Sequence, residues 1–156
     1  MSKRSFIISF CLLSIFHLSA FAAEQKVDVK GPIVVTSETL TADNKAHTAL
    51  FEKNVVAKTT DMTIYADKML VFYREAGGEV TKIEATGNVR LLKGTRVITS
   101  RNATYHADEE KVVFTGEPRA VDGENVVTGS VMTYFITDDR SYVEKSKVFL
   151  KNKKDR

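Results

Sequence analysis

From Ile33 onward the apolar residues of this chain recur at every second position, and no window of about a dozen residues carries a period near 3.6. Val55 and Ala57 share one face of a segment whose other face carries Asn54 and Lys58. Ile83 and Ala85 stand opposite Lys82 and Glu84. Ala103 and Tyr105 stand opposite Asn102, Thr104 and His106, and Met132, Tyr134 and Ile136 oppose Val131, Thr133 and Phe135. Side chains alternate across a strand, so this pattern specifies sheet with one dry face. Turn-forming Asp, Asn and Gly punctuate it roughly every eight to twelve residues, at 42–46, 59–61, 75–79, 93–95, 107–111, 122–125 and 137–141. The expectation is an all-β domain of about a dozen short antiparallel strands with no internal linker. Pro118, which has no amide hydrogen to donate, is expected at an edge or a strand start.

The first 22 residues read as a segment to be removed before folding. Lys3 and Arg4 precede an apolar run from Phe6 to Phe16, and Ala20-Phe21-Ala22 offers small residues where a signal peptidase cuts. The run is shorter than the roughly 20 residues a membrane span needs, and Cys11 lacks a lipoprotein cleavage context. Taking those 22 from 156 leaves 134 residues, the size of a single domain. The division expected is a signal peptide 1–22, an N-terminal segment 23–32, a β domain 33–150 and a basic tail 151–156. The sole cysteine leaves with the signal, so an exported form has neither disulfide nor thiol chemistry. With Lys3 and Arg4 gone, 21 basic residues face 20 acidic ones, and a net charge of +1 argues against nucleic-acid binding.

One phrase recurs. "FEKNVVA" from Phe51 echoes "ATGNVRL" from Ala85 and, more faintly, "FTGEPRAV" from Phe114. Asn54 and Asn88 lie 34 residues apart, and Asn88 and Glu117 lie 29 apart. Gly87 and Gly116 suit a bulge, and both asparagines tolerate the left-handed conformation. The loose period suggests successive passes of a folded-over sheet, giving an elongated two-walled structure. A secreted β-solenoid serving a structural or adhesive role is the alternative that the repeats alone allow.

"PIVVTSETLTAD" (from Pro32), "ALFEKNVVA" (from Ala49), "MTIYADKMLVFY" (from Met62), "IEATGNVRL" (from Ile83), "YHADEEKVVFTGEPRAV" (from Tyr105) and "VVTGSVMTYFITDDRSYVEKSKV" (from Val126) together resemble the OstA-like family. The likeness covers roughly Ile33 to Leu150, and the order of phrases is more specific than any single one. It implies an elongated open β-jellyroll, V-shaped, whose apolar interior holds the acyl chains of lipopolysaccharide. It also implies a periplasmic protein that stacks end to end on itself through strand pairing. Such a stack would link an inner-membrane extraction complex to the jellyroll domains of an outer-membrane translocon, with no cofactor. The chain departs from the family phrase in Lys53, where Gly is usual before Asn54, and in Glu117-Pro118, where the phrase runs Asn-Val.

A carrier of acyl chains needs methylene-binding surface, worth about 0.8 kcal/mol per buried CH₂. The inward-facing candidates for lipid binding are Val35, Phe51, Val55, Ile64, Ile83, Leu91, Tyr105, Phe114, Met132 and Tyr134. In any β-sandwich the same residues would fill a closed core. The absence of Trp and the mixture of Phe, Tyr and Met with Ala leave room that a closed core would fill. Apolar strands near both chain ends, 32–36 and 146–150, either pair with each other or offer edges to a further strand. His47 and His106 sit apart in alternating or turn segments, so no catalytic or metal set is expected. The acids of "ADEE" and "TDDR" are expected as solvated turn residues, and Ser37, Ser100 and Ser130 lack a nucleophile elbow. "AGGE" reads as a turn and not a phosphate cradle.

Overall fold

A computed structural model describes residues 33–151. The expected signal peptide, segment 23–32 and residues 152–156 of the tail lie outside them. The described residues form twelve strands and no helix: β1 (Val34–Thr36), β2 (Thr39–Asp43), β3 (Thr48–Lys58), β4 (Thr63–Tyr73), β5 (Val80–Lys93), β6 (Arg96–His106), β7 (Lys111–Thr115), β8 (Arg119–Asp122), β9 (Asn125–Thr128), β10 (Val131–Phe135), β11 (Arg140–Glu144) and β12 (Lys147–Phe149). Every pairing is antiparallel. Each turn segment read from the sequence separates two strands.

The remaining four breaks are of another kind. Residues 37–38, 116–118, 129–130 and 145–146 interrupt the chain between strands that run on in the same direction, and they line up with irregularities inside the long strands. Register shifts fall between Glu52 and Val55 in β3, between Tyr65 and Lys68 in β4, and between Thr86 and Val89 in β5. Together these positions draw one crease across the sheet. On one side β1, residues 55–58, 63–66, 89–93 and 96–100, β8, β9 and β12 pair in that order as a first wall. On the other, β2, residues 48–52, 68–73, 80–86 and 102–106, β7, β10 and β11 form a second wall. β3, β4, β5 and β6 cross the crease and belong to both.

The repeated phrase is the crease itself. At each occurrence two consecutive residues take positive φ: Lys53 (64°) and Asn54 (51°), Gly87 (79°) and Asn88 (48°), Gly116 (75°) and Glu117 (61°). Two such residues against a single opposing one, Asp67 or Arg101, bend the strand as a bulge does. Lys53 and Glu117, the departures from the family phrase, adopt the same geometry despite their side chains. Asn54 donates to Glu38 Oε1 (2.6 Å), Asn88 to Asp67 Oδ2 (2.8 Å), and Arg101 pairs with Glu117 (2.9 Å), so each fold line is pinned to a neighbouring strand. Pro118 lies inside the sheet, fully buried at the start of β8. Its missing donor costs nothing because pairing is already broken there. The repeats therefore build one creased meander, and the stacked coils of a solenoid are absent from the described residues.

Candidate functional site

The two walls enclose one hydrophobic cluster and no buried polar or charged residue among those described. Register places its members in ladders that run across the strands. On the first wall Val35, Ala57, Ile64, Leu91, Ile98, Ala120, Val127 and Val148 are successive cross-strand partners, one from each strand. On the second wall the ladder is Leu40, Phe51, Met69, Ala85, Ala103, Phe114, Met132 and Val143. A parallel row beside it contains Ile83, Tyr105, Val112 and Tyr134. Seven steps of ~4.8 Å make each full ladder roughly 34 Å long. Both ladders are apolar at every step, and each begins and ends on an edge strand.

All ten residues expected inside belong to this cluster or pack against it. Val55, Leu91, Phe114, Met132 and Tyr134 are buried, whereas Val35, Phe51, Ile64, Ile83 and Tyr105 are half-buried against them. Ile64, Ile83 and Tyr105 border an apolar cleft of about 50 Å³ shared with Ile33, Ala57, Met62, Met69, Ala85, Ala103, Val112 and Ile136. Sequence reading missed Met69, Met62 and Ile98. In β4 and β6 a single residue, Asp67 or Arg101, crosses the crease, so the inward parity changes there, from Ala66 to Met69 and from Ile98 to Ala103. In β3 and β5 two residues cross and the parity is kept. Counting by twos through β4 from Ile64 would have turned Lys68 and Leu70 inward; the positive-φ pair on the neighbouring strand is the signal that corrects it.

At the rim of the first wall the inward faces of β5 and β6 end in Lys93 and Arg96. Lys93 Nζ donates to the Tyr134 hydroxyl (2.8 Å), which donates to Asp139 Oδ1 (2.7 Å), and Arg96 Nη1 donates to the same carboxylate (2.8 Å). Both cations also lie over the Tyr134 ring, 5.4 and 5.6 Å from its centroid. Burial raises the Tyr134 phenol above its ordinary pKa against the opposing pull of Lys93. The Tyr134 hydroxyl, then Arg96, holds the Asp139 carboxyl below the usual range, and the bond to Tyr134 raises the Lys93 ammonium. Asp139 is thus more than the solvated turn acid expected of "TDDR", whereas Asp138 and Asp108 make exposed pairs with Arg140 and Arg74. His47 packs edge-on against Tyr73, and no metal-holding group of acids, histidines or cysteines occurs among the described residues.

Large exposed apolar side chains gather on the four strands at the sheet's ends. Ile33, Val34 and Leu40 lie on or beside β1 and β2, and Tyr142, Val148, Phe149 and Leu150 on or beside β11 and β12. β1 pairs only with β3 and β12 only with β9, so the two ends do not close on each other.

Fold and interior together define the class: an antiparallel jellyroll creased into two walls, open at both ends and lined with apolar side chains, as a transport protein for greasy cargo would be. Residues 34–140 match the family described as "LptA/(LptD N-terminal domain) LPS transport protein", and the chain belongs to that family. Its fold is similar to that of LptH from Pseudomonas aeruginosa, the LptA homologous periplasmic component of the lipopolysaccharide transport device. The TM-score is 0.72 at 11% identity, over 80% of this chain and 99% of that one. Sequence comparison with curated proteins finds no match.

Proposed function

We propose that this protein is a periplasmic, non-enzymatic carrier that shields the acyl chains of lipopolysaccharide from water on their way from the inner to the outer membrane. The observation that supports it most is the pair of unbroken apolar ladders reaching from one edge of the fold to the other. A closed core has no need of a greasy row that continues to both edges, whereas a conduit does. Each methylene sheltered there contributes about 0.8 kcal/mol, and no convergent polar groups are required. The two edges are different surfaces, so copies pairing β11 and β12 of one with β1 and β2 of the next would add head to tail and join ladder to ladder. Corresponding edges on an inner-membrane extraction complex and an outer-membrane translocon would take the ends of the stack.

The test is a photo-reactive amino acid at Ile83, inside, or at Glu84, outside, in cells making lipopolysaccharide. Capture at Ile83 and none at Glu84 is expected; equal labelling, or none at Ile64, Ile83 and Phe51 alike, refutes the carrier reading.

A further inference from the structure

The space between the walls is divided. One cleft lies against Ile64, Met69, Ile83 and Ala103; a second, of about 270 Å³, has an apolar floor of Ala120, Val127, Met132 and Val143 and a polar mouth that includes Arg96, Asp122 and Asp139, so the rim groups close its outer side, and the two share no lining residue. Between them the ladders place Leu91 and Ile98 from the first wall and Phe114 and Tyr134 from the second, none with any exposed surface. Tyr134 alone of these four carries a polar group, and that group is tied across the rim to Lys93. Arg96 and Asp139 make the other cross-wall bond, and hydrogen bonds to charged partners are the strong ones.

Opening this tie would strand nothing. Lys93 keeps Asp61 (3.7 Å) and Arg96 keeps Asp122 (3.5 Å), both on the first wall, while the Tyr134 hydroxyl keeps Asp139 on the second. Each side therefore holds a reserve partner for every group released, so separation forfeits the cross-wall bonds without the larger penalty of a buried orphan. Three carboxylates facing two cations also make the rim a poor site for an anionic headgroup. Resting on the carrier reading above, we infer that Tyr134 is a partition residue. Held by Lys93 and Asp139, it confines an acyl chain to the first cleft, and passage into the second requires the rim to open.

The experiment uses the mature protein with a fatty acid bearing a terminal diazirine, the labelled residues being mapped by mass spectrometry. In the wild type, labelling is expected at Ile83 and Met69 and near background at Val127 and Val143. In a Tyr134→Phe, Asp139→Ala double variant, whose ring and fold are checked by circular dichroism, labelling at Val127 and Val143 should rise about tenfold. Spin labels at Thr95→Cys and Asp138→Cys, on opposite rims, should move apart in the same variant. Equal labelling of both clefts in the wild type overturns the partition, as does a double variant with unchanged labelling and rim distance. Lipopolysaccharide capture failing at Ile83 while the fatty-acid pattern holds would sink the carrier reading and leave the partition standing.

Discussion

Gly87 is where the crease can be tested most sharply. Its φ is 79°, and a Cβ built there would sit 2.3 Å from Asp67 Oδ2 and 2.9 Å from Asp67 Cβ. Gly78, in the turn between β4 and β5, has a φ of 65° and nothing within 4 Å of the corresponding position. Alanine at either site meets the left-handed penalty of about 1–2 kcal/mol, offset by about 0.4–1 kcal/mol from a less flexible unfolded chain. Gly87→Ala carries two further terms. The Asp67 carboxylate must swing away, losing the bond from Asn88, which is worth about 1 kcal/mol. Rotation cannot relieve the clash with Asp67 Cβ, so backbone must shift as well, for about 1 kcal/mol more. Urea denaturation should therefore show Gly78→Ala down by about 1 kcal/mol and Gly87→Ala by about 3 kcal/mol, with the m-value unchanged. Asp67→Gly should cost about 2 kcal/mol in the wild type, through the lost Asn88 bond and a more flexible strand, but close to nothing in the Gly87→Ala background, where that bond is already lost and the clash is relieved. Equal losses at Gly78 and Gly87, or the same cost of Asp67→Gly in both backgrounds, would refute the claim that close packing at the fold line holds the two walls.

Other expectations are simpler to state. Leu91→Ala, at a position with no exposed surface, should lower stability by about 2–5 kcal/mol in the same urea assay, whereas Leu40→Ala, 57% exposed, should change it by less than about 0.5 kcal/mol. Leu40→Lys or Phe149→Glu puts a charge on an end of the sheet and should abolish concentration-dependent assembly in sedimentation experiments while leaving the thermal midpoint near that of the wild type. Asp139 has a depressed pKa in the folded protein, so its contribution is present above its unfolded value of about 3.9 and is lost as pH falls through the folded one. The stability gap between wild type and Asp139→Ala should hold at neutral pH and close below about pH 4. Lys93 and Tyr134 are raised, so their contribution is present below their unfolded values near 10 and is lost in alkali.

Strand content and turns were legible because period-two alternation and Asp/Asn/Gly punctuation are local signals. The ten inward residues were legible for the same reason: Ile83 with Ala85, or Met132 with Tyr134, declare a face within four residues. The crease was only half legible. "GNV" marks Gly87 and Asn88 as backbone-special, yet Lys53 and Glu117 take the same left-handed conformation with residue types that do not announce it. Their geometry is imposed by register with the strands on either side, which no local window contains. The parity change at Asp67 was missed on the same account, and with it Met69. The rim network was invisible, since Lys93, Tyr134 and Asp139 meet only after the walls fold together, and a turn reading "TDDR" carries no mark of its partner 43 residues upstream at Arg96.

The question of whether the inward residues are core or lining has a divided answer, and physics requires the division. A small domain with no disulfide among its described residues needs fully buried apolar groups to be stable, yet a carrier needs unfilled apolar surface. Leu91, Ile98, Phe114 and Tyr134 form a fully buried band at mid-ladder and, with Val55, Val89, Met69, Val112 and Met132, supply the first, each of the four worth about 2 kcal/mol on burial. Ile64 and Ile83 to one side, and Val127 and Val143 to the other, are only half-buried and border open clefts. With the ladder floors fully buried, the half-buried side chains beside them can stay accessible without unfolding the sheet. The band also places a barrier in the path of any cargo, which is tolerable only if it can part. The ion pairs at its rim, each with a second partner on its own wall, are the feature that would let it do so. Truncations should accordingly separate into two groups: those at fully buried positions such as Leu91 and Phe114 lowering stability first, and those at Ile64, Ile83, Val127 and Val143 lowering lipid capture with a smaller loss of stability.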